Sequence, residues 1–582
     1  MQMGKKCKLA LAVGMIAAVV TGVVGCGSSN SNNDKVIRVG AETTFPPFEF
    51  VENEKYVGFD LDLADAVIKQ MGGKMEFKSM GFDALIPAIQ SNQIDLIASG
   101  MDATPERAKK VLFSEPYFEQ NGYVIVVKKD NDNFVIKYET KDQKGVASAE
   151  VIRGADGDFS QETHEKLMDA HELRKANKDS LKYALYNVLV KLTGRTLPWG
   201  NLTGIRPAKL AMGMIESGMK NTEIAQEMRE RYLVSAKKTA LAITIANRER
   251  ALLQDIDYEH GYSLYVGIPF CPSICLYCSF SSYPLKLWAK RVDEYLDALC
   301  LEIRETARMM KNYKLDTIYI GGGTPTTLEP YQLKRLLDQL GESFGFDGLV
   351  EFTIEAGRPD SITREKLETI KEFPVTRISV NPQTMNQDTL EIIGRRHTVA
   401  QTIEAFHLAR ELNYNNINMD LIVGLPGEDI SKVKYTLEKV KELSPDSLTV
   451  HSLAVKRAAR LNMFKDKYQE MTFENNQEIM DLTQQTAYSM EMGPYYLYRQ
   501  KNMKGNFENV GYAKVDKAGI YNILIMEEKQ PIIALGAGGS SKLVFDHGKR
   551  IERVENVKDV TSYIARIDEM IERKRTGIGT WL

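Results

Sequence analysis

The chain has few cysteines, little histidine or tryptophan, and no excess of charge of either sign. Among its 582 residues are 6 cysteines, 7 histidines and 3 tryptophans, and the formal net charge is -3. So few cysteines in so long a chain cannot form a disulfide framework. A nearly balanced charge offers no basic surface, so we expect no nucleic-acid partner. With 43% hydrophobic and 26% charged residues, the composition is that of an ordinary globular protein of several domains.

The first 26 residues resemble a bacterial export signal. Three lysines precede the apolar run LALAVGMIAAVVTGVVG, which is shorter than the ~20 residues of a membrane span and ends in small residues. The following VVGC, which ends at Cys26, resembles a lipobox, where a lipoprotein is cleaved and lipidated. We interpret residues 1–26 as a lipoprotein signal and 27–35 as a polar tether, so that a lipid anchor would be the only membrane contact. A buried core helix is the alternative.

Residues 36–130 show the order strand, helix, strand, helix, strand, which is typical of an α/β lobe. The segments VIRVGAETTFPPFEF, YVGFDLDLADAVIKQMGG and FDALIPAIQSNQIDLIASGMDATPERAKKVLFSEPYF resemble the N-terminal lobe of the amino-acid-binding proteins of ABC importers. The resemblance implies that Phe45 and Phe82 flank a ligand and that Arg107 clamps its carboxylate. Asp102 departs from the family pattern, because an acid there would repel that carboxylate. The second lobe does not follow, so we expect little or no amino-acid binding.

From Tyr262 onward, short apolar runs alternate with helical patterns. The runs are SLYVGIPF, TIYIGGG, EFTIEAG, RISVNP, NMDLIVGLP and SLTVHSL. Six units of this kind predict a parallel sheet covered by helices, either curved as a partial barrel or open. Chemistry in such folds lies at the C-terminal ends of the strands. Each run here ends in residues whose concentration is hard to explain by packing alone.

Three cysteines follow the first run in the motif CPSICLYC, at Cys271, Cys275 and Cys278. A closed zinc site needs four protein ligands, and no fourth cysteine or histidine lies nearby at ligand spacing. Three thiolates on a four-iron cluster leave one iron open to an outside ligand, and this spacing suits that use. From the motif alone, zinc and purely structural cysteines stay as alternatives.

The ordered motifs of this half carry a family resemblance. CPSICLYC with GGGTPT resembles the radical S-adenosylmethionine superfamily. IPFCPSICLYCSF, GGGTPT, IEAGRPD, VNPQTMN, IGRRH and MDLIVGLPG together resemble the oxygen-independent coproporphyrinogen III dehydrogenase family. The resemblance implies a radical-SAM partial (β/α)6 TIM-like barrel at 258–462. A helical N-terminal extension at 134–257 would precede it, and an α+β region at 463–582 would cover the substrate.

The same resemblance implies cofactors and their ligands. A 4Fe-4S cluster would bind the three cysteines, and S-adenosylmethionine would bind its open iron and release a 5′-deoxyadenosyl radical on one-electron reduction. The matching cofactor-binding residues are Tyr265, Tyr277, Gly322, Gly323, Thr324, Glu355, Gln383, Arg395, Asp420 and Ala454. The last four match residues that hold a second S-adenosylmethionine in the founding members. Simpler roles are a helix start at Thr324, a strand-end cap at Asp420 and a solvated charge at Arg395.

The implied reaction is oxidative decarboxylation of coproporphyrinogen III to protoporphyrinogen IX in anaerobic haem biosynthesis, with an electron from flavodoxin or ferredoxin. Five cations could bind the carboxylates of a tetrapyrrole: Lys456, Arg457, Arg460, Arg499 and Lys501. Two positions depart from the founding members, which have a histidine at Gly267 and a further cysteine at Phe280. Related haem chaperones share the three-cysteine form, so a haem chaperone is one alternative function. An amino-acid-binding lipoprotein is another.

The two halves predict different compartments. A reduced iron-sulfur cluster and its electron donor belong in the cytoplasm, whereas the leader directs export. The halves also join without a Gly/Ser-rich or Pro-rich linker. We therefore interpret the chain as two coding sequences joined at or near Asn131–Phe134, by deletion or assembly error, with an enzyme half that is cytoplasmic in its own right.

Overall fold

The computed structural model describes three stretches of the chain. They are residues 35–112 except 46–47, 53–54, 71–72, 100, 102–106 and 108; residues 122–129, 132–141, 146–153 and 163–164; and residues 182–581 except 184–185, 188, 192, 205, 281, 457–458, 464–473 and 501–502. They fall into two compact units, one within 35–125 and 137–140 and one in the rest. The predicted signal and tether, through residue 34, lie outside the described residues. Among the described helices, none is long and apolar enough to cross a membrane.

The first unit is a small α/β lobe. Its elements are β1 (Lys35–Ala41), β2 (Thr44–Phe45), β3 (Glu49–Glu52), β4 (Lys55–Val57), α1 (Phe59–Gln70), β5 (Gly73–Ser79), α2 (Phe82–Gln90) and β6 (Leu96–Ile97). β1 pairs in parallel with β5 and β6, while β2, β3 and β4 form an antiparallel sheet. Alternate residues of β1, Ile37 and Val39, are buried in one cluster with Ile68 of α1. The predicted order of strands and helices is confirmed.

Among the described residues, four strands and three helices lie between β6 and the barrel. They are β7 (Gly122–Lys129), β8 (Asp132–Lys141), β9 (Val146–Arg153), β10 (Thr163–His164), α3 (Pro207–Glu216), α4 (Asn221–Glu230) and α5 (Ala236–Leu252). β9 and β10 pair antiparallel. Ser235 is the N-cap of α5, and its side chain accepts a hydrogen bond from the Lys238 backbone N–H. The helix buries Leu241 and Ile245. These helices lie within the predicted helical extension at 134–257, but β8, β9 and β10 show that its described part before residue 165 forms strands instead.

The six predicted strands form consecutive parallel neighbours of one sheet. The strands of this region are β11 (Gly261–Ile268), β12 (Phe270–Cys271), β13 (Tyr283–Pro284), β14 (Lys314–Gly322), β15 (Glu351–Gly357), β16 (Arg377–Val380), β17 (Ile417–Val423) and β18 (Ser447–Ser452). β11 and β14 to β18 pair in parallel in chain order, while β12 pairs with β13 separately. The partial (β/α)6 barrel is confirmed, and its strands are buried on both faces, as parallel strands usually are.

Helices cover the outside of this sheet. They are α6 (Leu285–Trp288), α7 (Val292–Met309), α8 (Pro330–Phe344), α9 (Arg364–Lys371), α10 (Gln387–Ile392), α11 (Val399–Glu411) and α12 (Ile430–Leu443). Their apolar residues recur at helical spacing, as in α7, where Leu296, Leu299 and Ile303 are buried. This spacing gives each helix one face toward the sheet and leaves its charged residues in solvent.

The C-terminal region extends the same sheet at both edges. Its elements are α13 (Arg460–Met463), α14 (Gln477–Ser489), β19 (Gly493–Tyr498), β20 (Asn509–Ala513), α15 (Ile520–Glu527), β21 (Ile532–Leu535), β22 (Ser540–Phe545), β23 (Arg550–Glu555), α16 (Val560–Ala565) and α17 (Ile567–Trp581). β20 and β19 follow β18 at one edge, and β21, β22 and β23 follow β11 at the other. Residues 536–539 form the turn between β21 and β22.

The N-terminal extension packs against the β19–β20 edge. The Arg248 guanidinium of α5 donates to the carbonyl oxygens of Gly493 at 2.6 Å and Ala513 at 3.1 Å. At Glu508, just before β20, one carboxylate accepts from Trp199 Nε1 at 2.7 Å and Lys238 Nζ at 2.6 Å. Because Trp199, Lys238 and Glu508 are buried, their contacts fix the extension to the C-terminal strands rather than leaving it as a loose appendage.

A buried ion pair fastens the last helix to the barrel. Lys574 Nζ of α17 donates to Glu302 of α7 at 2.5 Å and to Asn556 Oδ1 at 2.7 Å, and both charged side chains are fully buried. Glu302 also accepts from the Gly536 backbone N–H at 2.8 Å and from the Tyr563 hydroxyl at 2.5 Å. The carboxylate thus joins α7, α16, α17 and the β21–β22 turn.

We predict that Lys574→Met lowers the free energy of unfolding by about 3–5 kcal/mol, because Glu302 would keep a buried charge without its partner. The double variant Glu302→Gln, Lys574→Met should recover much of this loss, since it removes both charges. Urea unfolding measures both effects, with Lys434→Met on the exposed face of α12 as the control. An equal loss in the single and the double variant would contradict the prediction.

Candidate active site

One cavity of about 580 Å³ lies at the C-terminal ends of the parallel strands. Its walls include all three cysteines and all ten predicted cofactor-binding residues: Tyr265, Cys271, Cys275, Tyr277, Cys278, Gly322, Gly323, Thr324, Glu355, Gln383, Arg395, Asp420 and Ala454. They come from the ends of β11 and β14 to β18 and from the loops that follow these strands. The fold therefore brings the whole predicted set together, and this is the edge at which such barrels carry chemistry.

The cysteine loop is held by backbone and side-chain hydrogen bonds. The Leu276 backbone N–H donates to the Ile393 carbonyl at 2.9 Å, and the Cys278 N–H donates to the Cys275 carbonyl at 3.2 Å. The Thr324 hydroxyl donates to Cys271 Sγ at 3.6 Å. The cysteines are unpaired thiols. Within the described residues, no group of three or more Cys, His, Asp or Glu side chains is placed to hold a metal ion.

The chemistry of these donors fits an iron-sulfur cluster. Burial raises the pKa of the Cys271 thiol to about 11, so this thiol keeps its proton until a cation replaces it. The hydroxyl of Thr324 supplies a hydrogen bond to sulfur, the kind of contact that stabilises cluster thiolates and tunes their potential. The thiols line one cavity without being exposed on the surface.

The glycines after β14 are required by the packing of the chain itself. The Gly323 N–H donates to the Ile268 carbonyl at 2.7 Å, and the Thr324 N–H donates to the Phe270 carbonyl at 2.7 Å. A Cβ at Gly323 would lie 2.5 Å from the Phe270 carbonyl oxygen, and Gly322 has a φ of +105°. Close approach to β11 and β12 thus explains these glycines, while their contact with a cofactor stays a prediction. Thr324 also precedes the 3-10 turn Pro325–Thr327, as the helix-start interpretation predicts.

Glu355, near the end of β15, lies among tyrosine rings. The Tyr319 hydroxyl donates to its carboxylate. The Tyr319 ring stacks on Tyr521 with centroids 4.5 Å apart, and Tyr265 lies 6.3 Å from Tyr319 in a parallel orientation. Burial raises the pKa of Glu355 to about 7, and the nearby Asp420 charge adds to that rise while the Tyr319 hydrogen bond opposes it. The carboxyl can therefore hold or release a proton near neutral pH.

Arg395 is buried, with 7% of its surface exposed, so the solvated-charge interpretation is wrong. Its Nη1 donates to the Asn381 carbonyl at 2.5 Å and its Nη2 to the Tyr277 hydroxyl at 3.4 Å. Arg395 Nε and Gln383 Oε1 are buried without a hydrogen-bond partner among the described residues. Gln383 has a φ of +68°, and its N–H donates to the Asp420 carbonyl at 3.0 Å. These unsatisfied polar atoms are suited to a polar ligand.

The cations predicted to bind the substrate carboxylates lie in different parts of the structure. Lys456 lines the cavity. Arg499 instead donates to the Leu202 carbonyl at 2.8 Å and lies over the Trp199 ring, so it fastens the N-terminal extension. Arg460 is exposed on α13. Arg457 and Lys501 lie outside the described residues.

Several cavity residues escaped the sequence analysis. They are Tyr319, Arg358, Arg377, Tyr496, Tyr498, Tyr521 and Lys542. Arg358 had a usable signal, because it lies three residues after Glu355 in the strand-end motif IEAGRPD. The tyrosines of β19 and α15 had none, since β19 joins the sheet only through β20, and Tyr521 of α15 reaches the cavity by stacking on Tyr319. His451 and Asn381, which end two of the predicted runs, also line the cavity.

In the first unit, two of the predicted ligand-binding residues are neighbours. Arg107 Cζ lies 5.1 Å from the centroid of the Phe82 ring. The Phe45 side chain and Asp102 are outside the described part of the chain. The contact agrees with a shared location for Phe82 and Arg107, and amino-acid binding there stays a prediction.

Two family profiles match the chain. Residues 265–440 match the radical SAM superfamily, and residues 37–347 match the bacterial extracellular solute-binding proteins, family 3. The second match runs into the barrel, where the two overlap. The fold, the three-cysteine loop and these matches define a radical SAM protein with a solute-binding segment at its N-terminal side.

Similar proteins narrow this class. The chain is 41% identical over 413 residues to the oxygen-independent coproporphyrinogen-III oxidase-like protein HemZ of Bacillus subtilis, covering 70% of this chain and 82% of HemZ. It is 40% identical over 194 residues to the heme chaperone HemW of the same organism, covering 33% of this chain and 50% of HemW. The solved coproporphyrinogen III oxidase HemN of Escherichia coli is 25% identical, with a TM-score of 0.44 and coverage of 56% and 72%. The chain belongs to the oxygen-independent coproporphyrinogen-III oxidase-like family.

We predict that Gly323→Ala destabilises the loop and lowers iron uptake, because its Cβ would meet the carbonyl oxygens of Phe270 and Ile268 at 2.5 and 2.8 Å. Gly213→Ala on α3, whose Cβ would meet nothing within 4 Å, should instead leave stability unchanged or raise it. Thermal unfolding and iron content per chain measure the two effects. Normal iron content in the Gly323 variant would show that the turn can yield.

We predict that the metal-free protein loses stability as pH rises from about 4.5 to about 7, because folded Glu355 keeps a proton that the unfolded chain releases in this window. Glu355→Gln should reduce this slope, since the amide does not titrate. Urea unfolding at several pH values measures the difference, with Glu368→Gln on the exposed face of α9 as the control. Identical slopes for wild type and Glu355→Gln would mean that Glu355 is ionised throughout.

Proposed function

We propose that this chain catalyses the oxidative decarboxylation of coproporphyrinogen III to protoporphyrinogen IX. The observation that carries the proposal is the single cavity lined by all thirteen residues predicted from the resemblance. The similarity to HemZ over most of both chains supports the same chemistry, because HemZ is named an oxidase-like protein.

Cys271, Cys275 and Cys278 would hold a 4Fe-4S cluster. S-adenosylmethionine would bind beside the cysteine loop, where Glu355 offers a carboxyl. When bound, the two cofactors supply a carbon radical that abstracts a hydrogen atom. Gln383, Arg395, Asp420 and Ala454 would serve a second S-adenosylmethionine.

The reaction balances on the substrate side as follows. A propionate arm loses one hydrogen atom from its β-carbon, then carbon dioxide and one electron, and the two remaining carbons become a vinyl group. The electron passes to a one-electron acceptor, and two such rounds convert the substrate to the product. The chain's own part is positioning, since one C–H bond has to meet the radical and the other C–H bonds must not. Lys456 would pair with a carboxylate that does not react.

We further propose an electron donor and a compartment for the enzyme. A flavodoxin or ferredoxin would supply the electron, and the enzyme half would work in the cytoplasm, where such donors occur. No nucleic acid takes part. Membrane contact would come only through a lipid at Cys26, if the leader is used.

One observation favours a haem chaperone as the second candidate. Phe280 lines the cavity beside Lys456, whose Nζ lies 5.9 Å from its ring, and 73% of the Phe280 side chain is exposed. An exposed ring beside a cation suits a flat tetrapyrrole with carboxylates. The similarity to HemW over 194 residues points the same way.

We predict that the reconstituted protein, assayed without oxygen with a chemical reductant or flavodoxin, releases two carbon dioxide molecules per coproporphyrinogen III. Cys275→Ala should lose both iron and activity, because the cluster would lack one thiolate. Cys300→Ala should keep both iron and activity, because Cys300 is buried on α7 and does not line the cavity. Cleavage of S-adenosylmethionine without carbon dioxide would exclude this substrate, and tight haem binding under the same conditions would favour the chaperone.

A further inference from the structure

Arg358 connects the end of β15 to the cysteine loop. Its Nη1 donates to the Ser273 carbonyl at 2.9 Å and to the Ser273 hydroxyl at 2.8 Å. Ser273 lies midway between Cys271 and Cys275, and only 3% of the Arg358 surface is exposed. A buried guanidinium that binds both oxygens of one residue restrains the peptide between the first two cysteines.

The other side of the guanidinium is also fixed. Arg358 Nε and Nη2 donate to the two carboxylate oxygens of Asp360 at 3.0 and 2.9 Å. His397, fully buried, lies 3.8 Å from the same carboxylate. Its pKa is lowered to about 3 by burial and by the charge of Arg395, so it stays neutral and does not replace the guanidinium as the partner of Asp360. The planar fork of an arginine can bind a carboxylate and Ser273 at once, whereas a lysine ammonium cannot reproduce that geometry.

Two further anchors of the loop lie on another element. The Ser273 hydroxyl donates to the Gly394 carbonyl at 2.9 Å, and the Leu276 N–H donates to the Ile393 carbonyl at 2.9 Å. Both anchors are in the turn after α10. Arg358 is thus the side chain that joins the loop to β15, and without it residues 272–274 would be held from one side only.

We propose that Arg358 is a positioning residue that holds the segment from Cys271 to Cys275 in the conformation that presents its thiolates, and that it thereby sets how firmly the chain retains its cluster. The part of this inference that concerns the cluster rests on the proposed function. The part that concerns the loop does not, because the contacts are made by the chain alone.

The test measures alkylation of individual cysteines by iodoacetamide in the full-length, metal-free protein, followed by peptide mapping. In Arg358→Met, Asp360→Asn, which removes the loop contact and leaves no unpaired carboxylate, Cys271 and Cys275 should react about tenfold faster than in wild type, since the segment opens locally. Asp360→Asn alone keeps the guanidinium and should change these rates little. Cys300, buried on α7, is the internal reference and should keep its rate in every variant.

Equal rates at Cys271 and Cys275 in wild type and in the double variant would overturn the proposal. If Cys300 also reacts faster, the whole fold has loosened, and Arg358→Lys then decides the question because it keeps the charge and most of the volume. That variant should accelerate Cys271 and Cys275 alone, and an unchanged rate in it would equally refute the role of Arg358.

A second measurement links the loop to the cluster. After reconstitution, the Arg358 variants should lose iron to a chelator several-fold faster than wild type, with Arg364→Met on exposed α9 as the matched arginine control. If wild type takes up no iron, the proposed function fails while the alkylation result still stands. If iron is retained equally but alkylation differs, the loop claim holds and the claim on cluster retention is wrong.

Discussion

The active-site edge of the barrel depends on the backbone contact between the end of β14 and the strand that leads into the cysteine loop. The N–H groups of Gly323 and Thr324 donate to the carbonyl oxygens of Ile268 and Phe270. These two hydrogen bonds fix the backbone just before Cys271. No side chain fits between these segments at Gly323. This contact explains both the glycines and the placement of the first thiol against the Thr324 hydroxyl.

The cavity has two walls of different origin. The parallel strands supply the cysteine loop, Glu355, Gln383 and Asp420, all of which are predicted to bind the cofactors. The C-terminal strands and α15 supply a wall of tyrosines, Tyr496, Tyr498 and Tyr521. Because the C-terminal elements join the sheet at both of its edges, the walls of the cavity are complete only when that region has folded onto the barrel.

Burial determines the role of the arginines around the cavity. Arg395 and Arg358 are both buried, and each donates hydrogen bonds to a backbone carbonyl oxygen as well as to side chains. Arg499 does the same for the N-terminal extension rather than for the cavity. A cation at a strand end can therefore hold the backbone as well as line the cavity.

The sequence by itself determined the parallel strands and the cysteine loop and, through its family resemblance, the barrel and the set of strand-end residues. Local apolar runs separated by helical periodicity leave few alternatives to parallel strands, and parallel strands place their C-terminal ends at one edge. Only the tertiary structure decided which cations reach the cavity, which tyrosines complete it, and that Arg358 holds the cysteine loop. Those outcomes depend on contacts between residues far apart in the chain, such as Arg358 with Ser273 and Arg499 with Leu202. Such contacts follow from the order of strands in the sheet and from side-chain burial, which residue type and spacing alone do not specify.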